Sequence, residues 1–126
     1  MIKSTKYLVL VSVIIVLGAC SSTKSIYYWG DYSESAYGLK AEPTAESLST
    51  HKNVLQEIIN KAQSKNQRIP PGIYMELAKL EIEANNPVVA RQLLLQEKSL
   101  FPESAIMVEA VLKMIDGKEI ENANNG

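Results

Sequence analysis

Four prolines in the second half of the chain, Pro70, Pro71, Pro87 and Pro102, set where its helices can start and stop. Each lacks a backbone N–H and holds φ near the helical value, so it is tolerated in a first turn and breaks a helix interior. Between these points apolar residues recur every three to four positions. Leu48, Leu55, Ile58, Ile59 and Ala62 form one stripe, with His51 on it. Ile73, Leu77, Leu80 and Ala84 form a second. Val89, Ala90, Leu93, Leu94 and Leu100 form a third, and Ile106, Ala110, Val111 and Met114 a fourth. The spacing predicts an all-α domain of about four helices, at 45–65, 71–84, 88–100 and 103–116. Thr44 or Ser47 would cap the first, Pro71 would stand in the first turn of the second, and Gly117 would close the fourth as its C′ residue. No segment alternates with period two for long enough to predict a strand.

The register within 71–102 carries more than a helix count. With Pro71 as position one, Leu77 and Ala78 fall at seven and eight, Ala90 at twenty, Leu94 at twenty-four and Pro102 at thirty-two. This resembles one tetratricopeptide repeat, with the helices at 45–65 and 103–116 as its neighbours, because one repeat cannot bury both its faces. Glu81 stands where the repeat usually has an aromatic and Glu97 where it has a small residue, which bears on close stacking of a further unit. The plainer alternative is a helical bundle with accidental matches. Pro70, Pro71, Gly72 and Pro102 are read as structural turns that set the angles between helices.

The front of the chain is an address. Lys3 and Lys6 precede an apolar run from Tyr7 to Leu17, which ends in Leu17-Gly18-Ala19-Cys20. About eleven residues are too few to span a bilayer as a helix. The pattern resembles the lipobox of bacterial lipoproteins, which implies cleavage between Ala19 and Cys20 and acylation of Cys20, a palmitate-type anchor. Residues 1–19 are then a removed signal peptide and 20–26 a lipidated cysteine with its tether. Ser21, in place of aspartate, points to the periplasmic face of the outer membrane if the host is Gram-negative. Cys20 is the only cysteine, so no disulfide is expected. Taking Lys3 and Lys6 away leaves 11 basic against 14 acidic residues, with no basic block, which argues against nucleic acid as a partner.

Residues 27–43 are expected to be an extended, aromatic-rich segment. Tyr27, Tyr28, Trp29, Tyr32 and Tyr37 lie within eleven residues, and Gly30 permits a sharp turn among them. Two uses are open: the rings fold back to fill a helical groove, or they form an interface, since Tyr and Trp offer large area with a polar handle. An anchor at the lipid headgroups is a third, which Asp31 and Glu34 oppose.

Taken together, the lipobox, Tyr28-Trp29-Gly30 with Tyr32 and Tyr37, Pro70-Pro71-Gly72-Ile73-Tyr74, and Glu97-Lys98 with Phe101-Pro102-Glu103-Ser104 resemble a family of small bacterial lipoproteins of unknown function. The resemblance covers roughly residues 20–115. It implies an envelope complex with a protein partner, a lipoprotein similar to the curli secretion channel together with a second small lipoprotein. The alternative is a regulator or ligand-binding module for a cell-wall enzyme, a peptide or a glycan. Oligomeric state is not readable.

Catalysis is not expected, and neither a metal nor a cofactor. His51 is the only histidine and is read as a packing residue, since its neighbours Thr50 and Lys52 offer no partner for acid–base work. Glu76, Glu81 and Glu83, with Lys79 among them, are read as a solvated face. No cluster has metal-ligand spacing and no glycine-rich phosphate loop is present. The tail 117–126 is too polar to fold.

Overall fold

The computed structural model of the chain describes residues 25–124, with side chains considered as far as Lys118. The leader, Ala19 and Cys20 lie outside the described residues. Five α-helices follow in order: α1 Tyr32–Ala41, α2 Ala45–Ser64, α3 Ile73–Glu83, α4 Pro87–Leu100 and α5 Ala105–Asn124, the last preceded by a single 3-10 turn at Pro102–Ser104. Among the described residues there is no strand beyond one isolated parallel bridge, Tyr27 to Arg68. No described helix is long and apolar enough to cross a membrane.

The turn chemistry explains most boundaries. Thr44 caps α2 by accepting from the Ser47 amide at 3.1 Å, and the Ser47 hydroxyl accepts from the Thr44 amide at 3.0 Å, a reciprocal capping box. Pro87 opens α4 at a position where its missing N–H costs nothing. Pro71 does not enter α3 as expected: the helix begins at Ile73, after Gly72 takes φ +91, a left-handed geometry that disfavours any side chain. Gly117 does not close the last helix either. It lies inside α5, which continues as far as Asn124 in the tail expected not to fold.

Helix α1 overturns the expectation of an extended segment over 27–43. Ser35 is its only buried residue, so no apolar stripe announces it. Polar contacts to α2 and α3, described below, hold it instead.

The core has two lobes. Leu55 and Ile58 of α2 pack with Ile73, Leu77 and Leu80 of α3, and Tyr28 and Tyr32 close over them. Ala78, Ala90 and Leu94 pack with Val108 and Ile115 of α5. Ala78 and Ala90 are completely buried, which lets α3 and α4 approach closely as the repeat register required. The stripe expected on the last helix is rotated: Ile106 is 86% exposed and Met114 63%, while Val108 and Ile115 face inward. Leu48, Val89 and Leu100 are likewise exposed, while Phe101, outside the expected stripes, is buried.

Chain direction gives the bundle two ends. α2 and α3 are joined by residues 65–72, and α4 and α5 meet through the 3-10 turn, so the segment before α1, the 65–72 loop and residues 100–106 share one end. Two ion pairs confirm that α4 and α5 run antiparallel: Arg91 with Asp116, and Lys98 with Glu109 at 2.7 Å.

Candidate functional site

The aromatic segment is a strap. Its first residues run beside the 65–72 loop: the Arg68 amide donates to the Ile26 carbonyl at 2.8 Å and the Tyr28 amide to the Arg68 carbonyl at 2.9 Å. The Gln67 side-chain amide donates to the carbonyls of Ser25 and Tyr27. The Arg68 guanidinium stands 6.0 Å from the centre of the Tyr27 ring, at the outer limit of a cation–π contact. Gly30 then turns the chain with φ +46, and the Tyr32 amide closes the turn on the Trp29 carbonyl at 3.0 Å.

What anchors α1 is polar, buried at Ser35 and His51 and half-buried at Tyr32 and Glu76. The Tyr32 hydroxyl donates to Glu76 Oε2 at 2.8 Å. His51 Nε2 lies 3.0 Å from Glu76 Oε1, and its Nδ1 lies 2.9 Å from Ser35 Oγ. Ser35 Oγ is also 3.1 Å from the Tyr32 carbonyl. His51 is 1% exposed and Ser35 8%. Two side chains from α1, Tyr32 and Ser35, are thus joined in a row through His51 of α2 and Glu76 of α3. His51 was expected to pack, and it does, but as the middle of this chain. Its partners are not its sequence neighbours Thr50 and Lys52.

The Ser35 hydroxyl has one proton and two acceptors in reach, so the row is satisfied in both protonation states of the imidazole. With neutral His51 carrying its proton on Nε2, Ser35 donates to Nδ1 and Nε2–H donates to Glu76. With the imidazolium, Nδ1–H donates to Ser35 Oγ and the hydroxyl turns to the Tyr32 carbonyl. Burial, with the hydrogen bond to Glu76 added to it, pushes the Tyr32 phenol up to about 12.

Hydroxyl, imidazole and carboxylate in sequence have the order of a hydrolytic triad. The setting differs: Ser35 lies within α1, its own amide already given to the Asp31 carbonyl at 3.1 Å, and its hydroxyl is nearly buried.

The carboxylates expected on a solvated face divide. Glu83 is exposed, but Glu81 is 5% exposed, held by Lys52 at 2.7 Å and by the Asn86 side-chain amide at 3.0 Å. Burial works to raise its carboxyl, yet the hydrogen bonds from Lys52 and Asn86, with the Lys52 charge, prevail and hold it below the usual value. Glu97, the other departure from the repeat, is 2% exposed and accepts from the Gly72 amide at 2.7 Å. It caps α3 from a neighbouring helix, where the macrodipole favours negative charge. Its Oε2 has no hydrogen-bond partner among the described residues.

The structure sorts the expected site residues. Tyr28 and Tyr32 are half-buried and dock on the core, Tyr27 is half-buried beside Arg68, and Trp29 is 43% exposed and Tyr37 75%. Trp29 leans edge-on against Tyr32, centroids 5.4 Å apart. Pro70 is buried, Pro71 and Pro102 are exposed. Sequence reading passed over Ser35 and put Glu76 on a solvated face, where it instead meets Tyr32 and His51; no pattern marks either role, because a lone serine and a lone glutamate have the same statistics on any helix. An open groove of about 710 Å³ runs along α1 and the start of α2, with Asp31, Glu34, Glu42 and Glu46 on its walls. Among the described residues no three His, Cys, Asp or Glu side chains are placed to hold a metal ion.

Fold and site together define a small all-α domain in which a repeat-like helix hairpin carries an aromatic strap, clamped by a polar row. The family described as "Domain of unknown function (DUF4810)" matches residues 26–111, about two thirds of the chain, and the protein belongs to that family. The match begins where the strap first pairs with the 65–72 loop and ends within α5. No curated protein and no solved structure matches the chain.

Proposed function

We propose that the protein is a lipid-anchored envelope lipoprotein, fixed through Cys20 on the periplasmic face of an outer membrane, that serves as an interaction component of a protein assembly. The observation that carries the assembly role is the outer face of α4. Val88 and Leu95, one heptad apart, are 67% and 51% exposed on a helix whose other side is packed between α3 and α5. Large apolar side chains left outside at helical spacing suit a helical partner. A secretion-channel-like lipoprotein and a second small lipoprotein are the partners the family resemblance favours. Catalysis is not part of the reading: the Ser35–His51–Glu76 row serves to fasten α1, and no labelling of Ser35 by a fluorophosphonate is expected.

A second reading, a regulator or ligand-binding module for a cell-wall enzyme, peptide or glycan, draws on the groove along α1, whose carboxylates suit a cationic segment. Crosslinking in intact envelopes followed by recovery of the protein separates the two. Recovery of a channel-like lipoprotein, lost on Val88→Glu with Leu95→Glu, supports the first. Recovery of a cell-wall synthase, unaffected by that pair and lost on Glu34→Lys with Glu46→Lys, supports the second. Cys20→Ala should abolish fatty-acid labelling; equal labelling removes the anchor from the reading.

A further inference from the structure

The strap settles which end of the bundle the chain enters. Ser25 lies beside Gln67, and the backbone pairing of Ile26 and Tyr28 with Arg68 fixes that entry point on the 65–72 loop. Five residue steps separate Ser25 from Cys20, a reach of about 17 Å at full extension. α2, with 20 residues, is about 30 Å long, so the opposite end of the bundle lies far from the anchor.

Large apolar side chains stay outside at the entry end as well. Ile26 is 66% exposed, Trp29 43%, Leu100 46% and Ile106 86%, drawn from the strap, the end of α4 and the first turn of α5. They are distant in sequence, and the direction of the helices brings them to the same end of the bundle. Lys65 and Arg68 are exposed on the loop between them. An end that exposes apolar side chains, a tryptophan among them, together with long cationic side chains matches the chemistry of a bilayer interface: indole rings settle at headgroup level, and lysine and arginine reach lipid phosphates. Glu34, counted against a lipid contact from sequence, faces the groove along α1 instead. Asp31 and Glu103 remain at this end, exposed, and offset Lys65 and Arg68.

We propose that the entry end, through Ile26, Trp29, Leu100 and Ile106, rests on the membrane surface, so that the bundle stands with the start of α4 and the groove mouth at Glu42 and Glu46 directed away from the lipid. The inference rests on the lipid-anchor reading of Cys20. Because the charges nearly cancel, apolar burial supplies the contact, and salt has little effect on it.

Trp29 is the only tryptophan and reports on the contact directly. The full acylated protein is reconstituted in vesicles of phosphatidylcholine and phosphatidylglycerol whose acyl chains carry bromine near the headgroup. Vesicle flotation and Trp29 emission are both read. The expected result is flotation with strong quenching by the brominated lipid, weak quenching by aqueous iodide, and no change on raising salt. Leu100→Glu with Ile106→Glu should remove most of the lipid quenching while flotation persists, and Met114→Glu, 63% exposed farther along α5, should leave both unchanged. Flotation with Trp29 open to iodide and untouched by bromine overturns the inference and leaves the anchor standing. So does Trp29 shielded only in native envelopes, which assigns this end to a protein. Failure to float overturns the anchor, and this inference with it.

Discussion

Glu97 on α4 accepts a hydrogen bond of 2.7 Å from the backbone amide of Gly72, so one helix caps the next across the hairpin. The bond fixes the Pro70-Pro71-Gly72 corner and places a carboxylate at the N-terminus of α3. Glu97→Ala should cost about 2 kcal/mol, since it strips a half-buried donor of its partner and removes the favourable charge. Gly72→Ala should cost about 1–2 kcal/mol through the left-handed φ alone, because a Cβ there would meet nothing within 4 Å. Denaturant titration of the two single variants and the double variant tests the coupling. Strictly additive losses would mean that cap and corner act independently.

Tyr32 should make the protein sensitive to alkali. The folded state favours the neutral phenol, raising it from 10.0 to about 12. Its contribution is complete below pH 10 and is lost as pH climbs toward 12. Wild type should therefore lose more stability over that interval than Tyr32→Phe, measured as the difference in denaturation midpoint at each pH. Parallel curves would show that the fold does not hold the phenol neutral in this interval.

Glu81 and Lys52 predict the opposite limb. A carboxyl held below its usual value of 4.5 stabilises the fold above that pH, and the stabilisation drains away as pH falls through its folded value. Lys52→Met should cost about 2 kcal/mol near neutrality, leaving a nearly buried carboxylate with Asn86 as its remaining donor. The cost should shrink below pH 4.5. A cost independent of pH would assign the loss to packing of the lysine stem.

Trp29→Ala separates core from surface. At 43% exposure, with an edge contact to Tyr32, the indole should contribute about 1 kcal/mol to stability. A fully core tryptophan would cost about 3–5 kcal/mol. Thermal unfolding reads the difference, and a loss in the upper range would place Trp29 in the core rather than at an interface.

Sequence alone determined the four helices from residue 45 to residue 116 to within two residues at most ends. Proline chemistry and the Thr44–Ser47 box act over three or four residues, and three- to four-residue periodicity records which helix faces shed water. The crossing of α3 on α4 at Ala78 and Ala90 was legible for the same reason, because close approach demands small side chains at fixed offsets.

Helix α1, the burial of Glu81 and Glu97, and the row from Ser35 through His51 to Glu76 were decided only by tertiary structure. Each depends on a polar group finding a partner on another helix: Ser35 and His51 are 16 residues apart, and Gly72 and Glu97 are 25 apart. A charged residue reads as solvated until such a partner is in place, since burying it alone is too costly. The rotation of α5, which turns Ile106 outward and Val108 inward, was hidden for a related reason. Ile106, Val108, Val111, Leu112, Met114 and Ile115 offer apolar side chains on most sides of that helix, and only the position of α4 and its ion pairs selects the side that is covered.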